Sequence, residues 1–469
     1  MTVALHLARA RLSSRTGNAW LDVLAITAFT LSTWLALTVA GGTYMFHRRR
    51  LNPPEGYREL FAAGPDLSPE VVGGAGDLLD YMLNRYFALA VIACILLVIP
   101  IFSLGAGAAR LGARGRSRRL ATLRLLGMTS GEVTRIALIE SVVQTVVGLV
   151  AGTALWLISL PAWHRVSFQA TPIHPGEMLL GPKLLAGVLG AVFLISALST
   201  IAGLARVRIS PLGVARRSGT HPVHWAAVAF LAVNLLLFLY VQRDLTGRRL
   251  GDLSYLIAPL IIVAGTLLGI YLAGPYLLQA LARPLLWGAG PARMIGARRI
   301  IDDPRRAWRG IAGLVFLIFV TTVVTSLDRI ASGSPDETLM VIDTRTGVII
   351  TVAIGFIVAA CSTVMTQSAE IVDRAGELRA LDAAGFPRAT LRKVRMHQAL
   401  IPLVISALLA IALAFLILVP VMREEDVSLA SLRWVAVIVA LGFTLIVLAV
   451  NASTPLERRV LDAHHRRND

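Results

Sequence analysis

Ten apolar runs, each near the ~20 residues that carry a helix across a bilayer core, constrain this chain more than any other feature. They are Trp20–Phe46, Tyr86–Ala108, Ile136–Leu160, Leu184–Ala205, Trp225–Val241, Leu253–Gln279, Ile311–Leu327, Val348–Gln367, Leu400–Val421 and Trp434–Val450. In lipid a backbone must satisfy its own hydrogen bonds, so runs of this length fold as helices. The reading is an all-α integral membrane protein with ten transmembrane helices. Composition agrees: 56% of the 469 residues are apolar and 16% charged, against about 45–50% and about 25% in soluble domains. A disordered chain and a disulfide-stapled secreted domain are excluded. Cys94 and Cys361 sit inside apolar runs and read as small hydrophobes. The first run is too long for the apolar core of a signal peptide.

The net charge is +17. In a soluble protein that would point to nucleic acid. Here the cations lie between the apolar runs with no interleaved aromatics, so no nucleic-acid partner is expected. With the N-terminus inside, the inner segments carry 31 of the 45 Lys and Arg and the outer loops 14. The positive-inside rule then makes both termini cytoplasmic. The run His47-Arg48-Arg49-Arg50 is a local exception. Lys183 and Lys393 are the only lysines, a skew that fits a GC-rich bacterial genome and hence a bacterial plasma membrane. The longest outer loop, residues 47–85, contains a short helix predicted over Leu67–Tyr86, with Ser68 as N-cap and Pro69 at its first position.

The chain repeats itself. Leu120-Ala-Thr-Leu-Arg-Leu-Leu-Gly-Met-Thr-Ser-Gly-Glu-Val-Thr-Arg135 aligns with Leu378-Arg-Ala-Leu-Asp-Ala-Ala-Gly-Phe-Pro-Arg-Ala-Thr-Leu-Arg-Lys393 at an offset of 258. Ala19-Trp20 before run one returns as Ala307-Trp308 before run seven, and Ser210-Pro211-Leu212 after run four as Thr454-Pro455-Leu456 after run ten. Runs one to four therefore match runs seven to ten. The organisation read from this is a first four-helix unit (1–218), two linker helices (219–290) and a second four-helix unit (291–469). Units of equal orientation are parallel repeats with a pseudo-two-fold along the membrane normal.

In the first copy, Leu120, Leu123 and Leu126 form an apolar stripe on a short helix. Gly127 ends it, and Thr129 with Glu132 forms a capping box for the next helix. In the second copy Gly385 stops one helix and Pro387 starts the next. Both give a helix–Gly–helix elbow. One reading is an interfacial helix on lipid headgroups; the other is a docking elbow, presented twice to a two-fold partner.

The repeated pattern resembles the FtsX-like permease family, membrane subunits of ABC transporters of the MacB, LolC and BceB type. Its signature, roughly Arg-Glu-Ile-Gly-Ile-Leu-Arg-Ala-Leu-Gly-Ala-Thr, is matched by Arg118-Arg-Leu-Ala-Thr-Leu-Arg-Leu-Leu-Gly-Met-Thr129 and Gly376-Glu-Leu-Arg-Ala-Leu-Asp-Ala-Ala-Gly-Phe-Pro387. Arg119 stands where the family has Glu, whereas Glu377 keeps it; Asp382 stands where the first copy has Arg124. The resemblance implies one permease chain with two copies of a separate ABC ATPase. It implies docking through Leu120, Leu123, Arg124, Leu126, Gly127, Met128, Thr129 and Glu132 at one elbow, and Glu377, Leu378, Leu381, Gly385, Phe386 and Pro387 at the other. Export or extrusion of an amphiphile (a lipid, peptide or antibiotic) by mechanotransmission is the expected activity. The family's large extracytoplasmic domain has no counterpart in these short loops.

No phosphate-binding Gly-x-x-x-x-Gly-Lys-Ser/Thr and no Gly-Lys pair occurs. Mg-ATP therefore belongs on the partner, and the chain is read as non-enzymatic, with no cofactor or metal of its own. Intramembrane charge is sparse. Glu140, one turn into run three, and its repeat mate Gln398 are coupling candidates. Glu370 and Asp373 should meet Arg374, and Gln144 and Asn234 should bond between helices. A gradient-driven carrier would show midplane carboxylates or His and is the first rival. A non-transporting regulator of a cell-wall hydrolase or sensor kinase is the second.

Overall fold

The computed structural model describes residues 19–62, 75–126, 128–207, 225–245, 253–287, 290–327, 335–418, 429–454 and 457. The described helices are α1 (Ala19–Leu51), α2 (Glu55–Ala62), α3 (Ala75–Leu125), α4 (Ser130–Ser159), α5 (Pro182–Val207), α6 (Ala226–Leu245), α7 (Leu253–Ala282), α8 (Pro291–Asp302), α9 (Pro304–Leu327), α10 (Pro335–Asp373), α11 (Ala375–Ala383), α12 (Arg388–Leu418) and α13 (Leu429–Ala452). Each of the ten apolar runs coincides with one of them. Among the described residues, six helical stretches are long and apolar enough to cross a membrane: Asp22–Leu51, Leu138–Arg165, Pro182–Ser199, Gly265–Leu286, Leu339–Ile371 and Arg388–Leu416. Ala226–Tyr240 and Val439–Ala452 are shorter apolar helices. The outward faces of α4, α5 and α6 are apolar, with Val146, Val150, Leu194, Leu198, Val233 and Leu236 all exposed. A water-soluble bundle would bury them; this is a multi-pass membrane protein.

One expectation is corrected. The helix predicted over Leu67–Tyr86 is not a separate element. The described helix begins at Ala75 and runs unbroken for 51 residues to Leu125. Between Asp77 and Ile99 there is no Gly or Pro to stop it, so the extramembrane turn and the apolar run fuse. Ser68 and Pro69 lie outside the described residues.

Packing repeats along the chain. α1 packs on α3 and α4, and α5 on α3 and α4; α9 packs on α10 and α12, and α13 on α10 and α12. The linker pair α6–α7 packs on itself, with α7 also against α9. The two halves meet where α3 lies along α10. Leu97, Ile101, Leu104 and Ala108 are buried with Ile354, Val358, Met365 and Ala369 in one cluster. The first set steps by three or four residues and the second by four or seven, one helix face each.

At the end of the bundle away from Leu126 and Gly385, the chain between α4 and α5 forms a two-stranded antiparallel hairpin, β1 (Ser167–Phe168) and β2 (Thr171–Pro172). Its two turn residues, Gln169 and Ala170, both have φ of 56°. This is the type I′ requirement, for which Asn-Gly is the usual solution. Two side-chain-bearing residues in that region cost about 1–2 kcal/mol each. Arg49 of α1 offsets the cost. Buried at 2% exposure, it donates to the carbonyls of Phe168 (2.7 Å) and Pro172 (3.1 Å) and to Glu177 Oε2 (2.7 Å). The sequence exception to the positive-inside rule is thus partly a structural clamp. Arg49→Ala would leave Glu177 and two carbonyls without it, a loss of about 3 kcal/mol for a largely buried pair. The expected result is rapid proteolytic cleavage within 160–181 and a lower melting temperature in detergent; Arg49→Lys, unable to fork, should fall between.

Candidate functional site

The elbows are at the opposite end. In the first half α3 carries Leu120, Leu123 and Arg124 on its last turns and ends at Leu125. The stripe is therefore the tip of a long rod, not a short helix. Leu126 follows in a turn and is 77% exposed. Gly127 lies outside the described residues. Met128 is half-buried. Thr129, at φ −68° and ψ 154°, is the N-cap of α4. The capping box expected from the sequence is present. The Glu132 N–H donates to Thr129 Oγ1 at 3.4 Å, and the Thr129 N–H donates to Glu132 Oε2 at 2.9 Å. The Thr129 hydroxyl also donates to Oε2 at 2.9 Å. These bonds hold the Glu132 carboxyl below the usual carboxylate range, the backbone one most.

The second elbow is built differently. α10 ends at Asp373, Arg374 forms a turn, and α11 is a separate nine-residue helix. Its end is a Schellman motif. Gly385 N–H donates to Asp382 O (3.0 Å) and Phe386 N–H to Leu381 O (3.0 Å). Gly385 has φ of +80°, the left-handed conformation that this motif needs. Pro387 supplies the carbonyl that opens α12, accepting from Thr390 N–H at 2.8 Å. Leu378 is buried with Ile371 and Leu391, and Leu381 packs on that cluster. These two leucines therefore close the elbow on itself, leaving Phe386 (37% exposed) and Pro387 at its tip.

Behind this elbow the structure gathers residues that the sequence scattered. Arg299 of α8, 8% exposed, donates to Glu377 Oε1 at 2.5 Å and to Gln398 Oε1 at 3.4 Å. Gln398 Nε2 donates to Glu370 Oε1. Arg374 bridges Glu370 (3.2 Å) and Glu377 (3.3 Å). Arg395 of α12 pairs with Glu457 and donates to Ser453 Oγ at 3.2 Å. One network thus spans α8, the end of α10, α11 and α12. Glu377, Gln398, Glu370 and Arg374 were legible in the sequence; Arg299, Arg395 and Glu457 were missed. The signal available was the run Arg298-Arg299 on a helix whose Gly296–Ala297 face is buried.

The remaining candidates separate. Glu140 is buried on α4. Gln144 Nε2 donates to Asp22 Oδ1 of α1 at 2.9 Å, an interhelical bond as expected. Asn234 differs: its amide donates to Phe230 O of its own helix, at 3.1 Å. Its Oδ1 faces Gly265 of α7, where an added Cβ would come within 2.2 Å of it. The close approach of the two helices uses up the space in which a cross-helix partner would sit. Among the described residues no group of three or more His, Cys, Asp or Glu could hold a metal ion.

Residues 86–212 match the family described as FtsX-like permease C-terminal. The match runs from α3 through α5 and includes the whole first elbow. It supports the FtsX-like permease resemblance read from the duplicated motif. No curated protein matches the chain.

Proposed function

We propose that this chain, which carries an FtsX-like permease segment at residues 86–212, is the permease subunit of an ABC transporter. Hydrolysis of Mg-ATP takes place on a separate ATPase, two copies per permease, one on each elbow. The elbows face the cytoplasm of a bacterial cell, as do both termini. The substrate is an amphiphile, exported or extruded by mechanical transmission. The units 1–218 and 291–469 act as parallel halves about the α3–α10 seam, with 219–290 returning the chain between them. The equal packing partners of α1 and α9, and of α5 and α13, support that layout.

One observation carries the reading. The elbow lying within the matched segment is built again, with different residues, at the same point of the second half. A capping box makes it once, and a left-handed glycine makes it the other time. In this proposal Leu126 and Met128 at one tip, with Phe386 and Pro387 at the other, insert into grooves of the ATPases. Leu120, Leu123 and Arg124 lie on the last turns of the first rod, and Leu378 and Leu381 close the second elbow. Closure of the ATPases draws the tips together. α3 and α10, helices of 51 and 39 residues, are about 75 and 60 Å long at 1.5 Å per residue. They reach the far end of the bundle without a joint. Glu377, Arg299 and Gln398 pass the movement of the second elbow to α8 and α12; Glu140 stands at the corresponding point of the first half.

The experiment is affinity capture of the tagged full chain from its native membrane. The expected result is an ABC ATPase at about two per permease. Leu126→Asp together with Phe386→Asp should lower its recovery at least tenfold, because a buried carboxylate at a groove anchor costs several kcal/mol. Both positions are exposed in the free chain, so insertion and folding should be unchanged. An ATPase-free chain whose transport depends on a proton or sodium gradient would overturn the proposal in favour of a carrier.

A further inference from the structure

A cavity of about 200 Å³ lies at the bundle end away from the elbows, between α1, α3 and α10 and under the hairpin. Val39, Leu89, Ile92, Val348 and Ile354 are among its walls, and Phe168 of β1 covers it. It is smaller than the ~300–1,000 Å³ of ordinary small-molecule pockets. It has room for one chain or ring, not for a folded peptide.

One carboxylate faces into this apolar space. Asp343 of α10 lines the cavity and is 4% exposed. Its Oδ2 accepts from Tyr86 O–H at 2.7 Å and from the Gln169 N–H at 2.7 Å. Its Oδ1 accepts nothing among the described residues. No Lys or Arg lines the cavity. The three consecutive arginines at the end of α1 make their hydrogen bonds and ring contacts elsewhere, though Arg49 also acts on Asp343 electrostatically. Arg49 is bound by Glu177. Arg48 donates to Gly176 O and lies over Tyr44, and Arg50 lies over Phe87. Inside the clamp there is one guanidinium for two carboxylates, Glu177 and Asp343. A carboxylate held in apolar surroundings with a free oxygen is costly unless it takes up a proton or a cation meets it.

We propose that this cavity binds an amphiphile with a protonated amine, its apolar body between α1, α3 and α10 and its ammonium donating to Asp343 Oδ1. The inference rests on the permease reading for its biological use and narrows the substrate to a cationic amphiphile. Binding itself needs no ATPase. A charge-assisted N–H···O bond in a water-poor site selects ammonium over a hydroxyl of equal chain length. The hairpin takes part, since the Gln169 N–H fixes the carboxylate that the ligand uses.

The test uses the full chain in lipid nanodiscs and dodecylammonium carrying a photoreactive diazirine. Labelling of the cavity walls should be saturable. Unlabelled dodecylammonium should compete at a concentration about tenfold lower than dodecanol, each corrected for its partition into lipid. Asp343→Asn still offers an acceptor to Tyr86 and Gln169, and should erase that preference. Gly42 lines the cavity and faces open space at its Cβ position, so Gly42→Leu should fill the cavity and remove labelling with no change in melting. Equal competition by dodecanol, or a preference that survives Asp343→Asn, would overturn the proposal. Should Asp343→Asn fail to fold, the wild-type preference and Gly42→Leu decide. A chain that fails here but still captures its ATPase loses the site and keeps the permease reading; one that binds dodecylammonium but captures no ATPase does the reverse.

Discussion

Gly385→Val is expected to abolish ATPase recovery at the second elbow while the protein still inserts and melts only a few degrees lower. The reason is conformational rather than steric. Nothing lies within 4 Å of a Cβ built on Gly385, but its φ is +80°. An ordinary residue there costs about 1–2 kcal/mol, and a β-branched one is a true outlier. The Schellman bonds from Gly385 and Phe386 to Asp382 and Leu381 depend on that angle. If they break, the chain leaves α11 in another direction and Phe386 no longer lies at the tip. The helices behind it keep their packing, because Leu378, Ile371 and Leu391 form their own cluster. Gly385→Asn is the control. Asn tolerates the left-handed region and should retain most of the binding. Capture stoichiometry reads the result directly: about one ATPase per permease for Val, about two for Asn. Equal recovery from the two variants would remove the elbow from the account.

The two elbows illustrate what the sequence could and could not reveal. The capping box at Thr129–Glu132 is local chemistry, four residues long, and was read correctly. The positive φ at Gly385 is local too. The extent of α3 was misjudged because joining an extramembrane turn to an apolar run depends on the absence of a stop signal, and an absence gives no pattern to read. The break at Arg374 has no counterpart in the first half, although the motifs align residue by residue. There the chain relies on long-range partners: Arg374 reaches Glu370 and Glu377, and Arg299 reaches Glu377 from a helix 78 residues away. The hairpin was invisible for the opposite reason. Gln169-Ala170 is a poor turn sequence, and it is held in place by Arg49, more than a hundred residues earlier, and by Asp343, more than a hundred and fifty later. The break at Arg374 and the hairpin both rest on contacts between distant segments, and no periodicity reports those.

This contrast has a mechanical side. Glu377, which keeps the family's acidic residue, is tied into four helices, whereas the first copy has Arg119 at the matching place. α11 is a separate piece held by charge and by the packing of Leu378 and Leu381, and the end of α3 is continuous with its rod. In the proposed mechanism a push on the first tip would act along α3 directly. A push on the second would pass through Arg299, Gln398 and Glu370, and through the Ile371–Leu378–Leu391 cluster, to α8, α12 and α10. On that proposal the two routes would meet at the seam between α3 and α10, and the packing of the first half would matter as much as its elbow.

That packing sets the second large effect. Gly148 and Gly152 of α4 let it lie against the backbone of α1. A Cβ on Gly148 would stand 2.3 Å from Phe29 Cβ; one on Gly152 would stand 2.6 Å from Thr30 O and 2.6 Å from Thr33 Cβ. Carbon atoms prefer about 3.5–4.0 Å, so either Ala forces the helices apart by more than 1 Å. In lipid, close packing of this kind is the main source of helix association, and overpacking costs about 1–3 kcal/mol per site. The second half has Ser406 and Ala410 at the offset of 258, both buried and both carrying a Cβ. The helix pair α9–α12 accommodates a Cβ at both positions, where α1–α4 has room for neither. Gly148→Ala with Gly152→Ala should lower the detergent melting temperature by many degrees and lengthen the α1–α4 distance between spin labels. Gly187→Ala with Gly190→Ala in α5 is the matched control. Nothing lies within 4 Å of either Cβ position, and the change should leave stability unaltered or raise it by up to about 1 kcal/mol per site through helix propensity. If both pairs destabilise equally, the loss is a general glycine effect and the α1–α4 contact is not what holds the first half together. If only the first pair does, the route from elbow to seam passes through a helix contact that has no room for a single methyl group.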